Sequence, residues 1–196
     1  MRRFFLALSM LLLSSAADAA PFVPISDLRQ GGYVVVVRHA HAPGAPPAAG
    51  EAATGNTMGE RQLDEVGRRT AESMGAAIKA KGVPVGEVFT SPAFRAMQTV
   101  RFAGLAGAVA RPELGDGGAS MALAASGAAG DAWLQTKSRE VPAPGTNTFI
   151  VTHGPNIGRA FEGADAADGE AIVFRPDGRG GAVQAGRIKI EEWASR

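Results

Sequence analysis

The chain has three histidines, His39, His41 and His153, and no cysteine. His39 and His153 each follow an apolar, β-branched run, Tyr33–Val37 and Thr148–Thr152. Runs without a polar face read as strands buried on both sides. Ligands of open α/β sheets bind beyond the carboxyl ends of strands, so these two histidines are expected at one edge of a sheet. Arg38 stands directly before His39. A guanidinium at the end of a buried strand is costly unless it meets an anion. Arg95 follows Ser91-Pro92, a pair suited to the N-cap and first position of a helix. The first turn of a helix already carries about +0.5 charge from unpaired N–H groups. An arginine there opposes the dipole, and an anion bound at the helix start offsets both. Two arginines and two histidines thus point to an anion-handling site. A different chemistry is open to His39 and His41: at i, i+2 spacing they could share a metal with His153. Few acidic residues flank these positions, and Arg38 would repel a cation beside it.

These residues need elements to hold them. His39–Arg61 is rich in Gly, Pro and Ala without a period, and reads as a long loop. Leu63, Val66, Thr70, Met74 and Ala77-Ile78 recur at helical spacing, with Asp64 able to cap and Gly82 and Pro84 as terminators. Val85–Thr90 reads as a strand, and a helix is expected from Ser91 to about Gly104. Ala106–Ala110 reads as a third strand and Ala129–Ser138 as a helix, whereas Arg111–Gly130 has no clear pattern. His153-Gly154-Pro155-Asn156 should open another helix. Ala171–Arg175 and Ala182–Ile190 flank the turn Pro176-Asp177-Gly178 and suggest an antiparallel hairpin. Strands alternating with helices imply an α/β domain with a mostly parallel sheet.

The N-terminus has its own logic. Arg2 and Arg3 precede the apolar run Phe4–Leu13, and Ala17-Asp18-Ala19 resembles a signal-peptidase site. About ten apolar residues are too few to span a bilayer, which takes about 20. Residues 1–19 are expected to be a signal peptide and 20–196 one domain, lying in the periplasm of a bacterium or secreted, with no stable membrane insertion after cleavage. Losing Arg2, Arg3 and Asp18 takes the formal net charge from +1 to zero. Nothing in that balance suggests a nucleic acid partner.

Four segments resemble the histidine phosphatase superfamily, also called phosphoglycerate-mutase-like. Val34–Ala40, VVVVRHA, is similar to its first-strand signature, Arg-His-Gly or Arg-His-Ala. Ser91–Thr99, SPAFRAMQT, resembles its Ser-Pro-x-x-Arg-Ala-x-Gln-Thr segment. Thr152-His153-Gly154 resembles its second histidine motif, and Leu63-Asp64-x-x-Gly67-Arg68 the helix start between them. The tail, with GEAIVFRPDG and a final Glu-Glu-Trp, looks like that of an exported bacterial branch. Order and spacing agree over roughly Gly31 to Phe161.

The resemblance implies a three-layer α/β/α sandwich and a metal-independent phosphomonoester hydrolase without a cofactor. His39 would be the nucleophile, forming a phosphohistidine, while Arg38, Arg95 and His153 grip the phosphoryl oxygens. The partner would be a small phosphorylated substrate, such as a sugar phosphate or an envelope phosphate. The family often takes its proton donor from a carboxylate after the third strand. Glu113, Asp116 and Glu170 are candidates here. His41 stands where the mutases have Glu, which argues against mutase chemistry. Arg61, in ERQLD, resembles a family Gln-Arg-Asn-Leu segment and is either a further phosphate contact or a surface arginine. The alternatives are a catalytically silent relative that binds a phospho-ligand, and the metal-dependent hydrolase on His39, His41 and His153.

Overall fold

The computed structural model describes residues 23–45, 59–116 and 127–193. The expected signal segment, most of the 39–61 loop and much of 111–130 lie outside these residues. Six strands form one sheet: β1 (Val34–Arg38), β2 (Val85–Thr90), β3 (Val109–Ala110), β4 (Asn147–Thr152), β5 (Ala171–Pro176) and β6 (Ala182–Ile188), in the order β3-β2-β4-β1-β5-β6. β1 to β4 run parallel, and β5 and β6 add an antiparallel hairpin on the β1 side. The mostly parallel sheet expected from the sequence is present.

Among the described residues four α-helices cover the sheet: α1 (Glu65–Ala80), α2 (Phe94–Phe102), α3 (Ala128–Lys137) and α4 (Gly154–Ala160). Alternation along β1 divides the core. Val35 and Val37 join Met74, Ile78, Ala96 and Val100 from α1 and α2 on one face. Val34 and Val36 join Leu134, Ile157 and Ala160 from α3 and α4 on the other. Since both faces are covered, β1 and β4 can be apolar throughout, and all six residues of β4 are buried. The result is the three-layer α/β/α sandwich. Among the described residues no helix is long and apolar enough to cross a membrane.

Local expectations met the structure unevenly. Asp64 caps α1 by accepting from the Gly67 N–H at 2.8 Å. The helix expected to start at Ser91 begins instead at Phe94, with Ala93 as N-cap. Ser91 is still part of the sheet framework: its N–H donates to Val151 O at 2.8 Å, and its hydroxyl accepts from the Ala93 N–H at 3.1 Å. The third strand shrinks to the exposed pair Val109–Ala110, because only Phe89 and Thr90 of β2 face it. β6 stops at Ile188, and Ile190–Glu192 turns as a 3₁₀ helix toward Trp193.

Candidate active site

Sheet register places the two histidines. β1 and β4 are parallel neighbours with Arg38 opposite Thr152, so His39 and His153 leave the sheet side by side. The His39 N–H donates to Thr152 O at 2.9 Å, and the imidazole rings meet edge to face with centroids 5.2 Å apart. Below them, Thr99 on α2 accepts from the Ala40 N–H at 3.0 Å and donates to Arg95 O at 2.8 Å. The start of α2 is thereby tied to the end of β1.

Arg95 bridges the pair. Its Nε donates to His39 Nε2 at 3.2 Å and its Nη2 reaches His153 Nδ1 at 3.0 Å and the carboxylate of Asp116. The guanidinium has no acceptor capacity, so His39 Nε2 and His153 Nδ1 must both accept. The other nitrogens then carry the protons: His39 Nδ1–H donates to its neighbour's carbonyl, Ala40 O, at 2.8 Å, and His153 Nε2–H to the Ser91 hydroxyl at 2.8 Å. Both rings are neutral in this network. Burial is the main reason, pushing His39 from 6.5 to about 4; Arg95 and Arg38 add to it against the upward pull of Ala40 O and Asp168. Burial also carries His153 well below its ordinary value, assisted by Arg95, His39 and Arg61. Arg95 is itself lowered by burial, while Asp116 and Glu60 favour its charge.

Arg38 forms the opposite wall. Its Nη1 donates to Ala166 O at 2.7 Å, and its Nη2 pairs with Asp168 at 2.7 Å. The chain of α4 passes closely over it: a Cβ built at Gly154 would stand 3.3 Å from Arg38 Nη1. A methyl there would press on the guanidinium, which would have to give by a few tenths of an ångström.

The four residues singled out from sequence, Arg38, His39, Arg95 and His153, therefore converge. Of the three candidate carboxylates, Asp116 reaches the site, bonded to Arg95 and 4.0 Å from His153 Nδ1. Glu113 pairs with Arg111 at 3.0 Å. Glu170 is held by Arg187 at 2.9 Å and by the Ala167 N–H at 2.8 Å. His41 is engaged by Asp64 at 2.9 Å beside the α1 cap. Among the described residues no three His, Asp or Glu side chains gather as a metal site would require. Arg61 lies close enough to depress both Arg95 and His153, and its Nη2 donates to Ala42 O. It belongs to the surroundings of the site and not to a remote surface. Sequence reading missed Asp168 as the partner of Arg38, Ser91 as the partner of His153, and Glu60, which accepts from the Phe94 N–H at 2.7 Å. Short-range pattern held no signal for Asp168, which is 130 positions from Arg38 in the chain.

Solved structures share this architecture. The protein histidine phosphatase SixA complexed with tungstate matches with a TM-score of 0.60 and 20% identity, over 81% of this chain and 97% of that one. A phosphoserine phosphatase variant from Entamoeba histolytica, in complex with phosphoserine, matches with a TM-score of 0.56 and 13% identity, over 82% and 98%. YhfR from Bacillus stearothermophilus gives 0.51 and 16%, over 79% and 95%. No family model and no curated protein sequence matches the chain. The likeness establishes the phosphoglycerate-mutase-like fold of the histidine phosphatases.

Proposed function

We propose that this chain is a phosphomonoester hydrolase of the histidine phosphatase superfamily, working through a phosphohistidine on His39. One observation carries the reading. The His39 ring is buried and neutral, with its proton fixed on Nδ1 by Ala40 O and its Nε2 lone pair presented between the guanidinium of Arg95 and the ring of His153. An unprotonated imidazole nitrogen facing a cationic pocket is what in-line attack on phosphorus requires. The phosphoryl oxygens then replace His39 as the partner of Arg95, and Arg38 closes from the other side. With Ser91 donating back to Nε2, His153 can instead present an N–H from Nδ1 to a phosphoryl oxygen. Of the three candidate carboxylates, Asp116 lies nearest the site, on Arg95 and 4.0 Å from His153 Nδ1, which supports it as the donor to the leaving oxygen once it has taken up a proton from solvent on release from Arg95. A phosphoserine phosphatase with this fold has been solved with phosphoserine and with 3-phosphoglyceric acid bound, which supports a small phosphorylated substrate here. The basic-apolar-small pattern of residues 1–19 supports export to the periplasm.

The test is to trap enzyme labelled from a generic phosphomonoester and map the label. An N-phosphoryl bond is labile in acid, so the quench must be basic. Label is expected on His39, with His39→Ala abolishing both label and turnover. Label on His153 or on a serine, or turnover without label, refutes the assignment. Binding of phosphate without any turnover would point to a silent relative.

A further inference from the structure

The motif at the tail has no part in the chemistry above, yet its side chains converge on one turn. Residues 165–170 cross from α4 to β5 and supply both partners of the Arg38 guanidinium, Ala166 O as a hydrogen-bond acceptor and Asp168 as an ion pair. Side-chain and backbone hydrogen bonds hold the turn from several sides. Glu170, 6% exposed, takes the Ala167 N–H on one oxygen and Arg187 Nη1 on the other. Arg187, on β6, also donates through Nη2 to Asp165 O. Trp193, buried after the last 3₁₀ helix, donates its indole N–H to Gly169 O at 3.0 Å. The Gly169 N–H in turn is shared by Arg38 O and His39 O, each at 3.1 Å, and the Arg38 N–H donates to Glu170 O at 2.9 Å. Gly169 has φ +77°, and a Cβ there would lie 3.0 Å from Thr70 and 3.3 Å from Ile190. Conformation and space both require glycine at this position.

We propose that Glu170, Arg187 and Trp193 form a positioning clamp for the phosphate-gripping arginine, Arg38, rather than a source of protons. The side chain of Arg38 is 30% exposed and lacks the enclosing packing that immobilises Arg95. A long, partly solvated guanidinium is fixed only if its acceptors are fixed. Ala166 O and Asp168 sit on an irregular turn, and that turn gains its rigidity from the Glu170–Arg187 pair and the Trp193 hydrogen bond. Both oxygens of Glu170 are committed to this task, which accounts for a buried carboxylate so near the site without a catalytic duty. Misplacing a gripping group by an ångström can cost about a hundredfold in rate; loosening it should cost about tenfold in anion affinity.

The proposal rests on the phosphatase reading, but vanadate binding tests it without depending on turnover. Vanadate affinity is measured by calorimetry for the wild type, Arg187→Gln, Arg38→Ala and the double variant, with Glu170→Gln as a second clamp variant. Arg187→Gln should weaken vanadate about tenfold in the wild-type background and have little effect once Arg38 is gone, because the clamp then has nothing to position. A purely structural role would lower thermal stability equally in both backgrounds and give additive losses in affinity. Additive losses, or undiminished affinity in Arg187→Gln, overturn the clamp while leaving the phosphatase reading intact. A wild type that binds vanadate but does not turn over removes the hydrolase reading, and the same affinity cycle, non-additive or additive, then upholds or overturns the clamp. A wild type that does neither overturns both.

Discussion

The two walls of the site use the same pairing, an arginine with an aspartate, and hold it by different means. On the α2 wall, Arg95 has a side chain 4% exposed and contacts His39, His153 and Asp116 together. On the β1 wall, Arg38 has a side chain 30% exposed, and the turn 165–170 supplies its hydrogen-bond acceptor and its ion-pair partner. Burial raises the strength of every interaction on the first wall and leaves few alternative rotamers. The second wall depends on hydrogen bonds anchored elsewhere in the chain. One arginine is embedded between the two histidines, and the other is held beside them from outside.

The largest expected contrast comes from removing each in turn. Arg95→Ala takes the bridging cation from between both histidines and should lower kcat/KM about a thousandfold. Arg38→Ala should lower it about a hundredfold, within the range for loss of one charge-stabilising donor. Steady-state kinetics on a generic phosphomonoester compare the two, and a larger loss at Arg38 would reverse the ranking of the walls.

A second contrast is in pH. His39 is held near 4 in the folded state against 6.5 in the unfolded chain. Above pH 6.5 the ring is neutral in both states and contributes no pH dependence. Below it, the unfolded chain takes up a proton that the folded protein refuses, so stability falls as pH drops from 6.5 toward 4. The loss from His39 is on the order of 3 kcal/mol, and His153, shifted in the same direction, adds to it. Denaturant unfolding between pH 7 and 4 measures the slope, and His39→Asn should flatten it. An unchanged slope would mean that the ring is already solvated. The same shift predicts that kcat/KM keeps its dependence on neutral His39 down to about pH 4.

The smallest effect is expected at the histidine outside the site. The His41 side chain, 43% exposed, touches Asp64, an arrangement typically worth under about 1 kcal/mol. His41→Ala should leave activity within about twofold, whereas Asp64→Ala removes the α1 cap and should lower the unfolding midpoint. A strong activity loss in His41→Ala would bring that residue into the pocket.

The amino-acid sequence determined a good deal. The all-apolar runs before His39 and His153 marked two central strands, because only a strand covered on both faces can do without polar residues. Their parallel pairing brought the histidines to one edge, and the helical spacing after Leu63 marked α1, with Asp64 legible as its cap. Arg38 and Arg95 stood out as candidate anion ligands because each sits where a cation is locally unfavourable. Tertiary structure alone decided the partners of those arginines. Asp168 meets Arg38 only because β5 folds back beside β1, and Asp116 meets Arg95 only because the segment after β3 crosses the end of β4. It also separated three carboxylates that sequence left equivalent: Glu113 turned to Arg111, Glu170 to Arg187, and Asp116 into the site. Local pattern records what a residue needs, burial or a cap or a counter-charge. Which distant group meets that need depends on chain crossings and on solvent exclusion, and both exist only in the folded molecule.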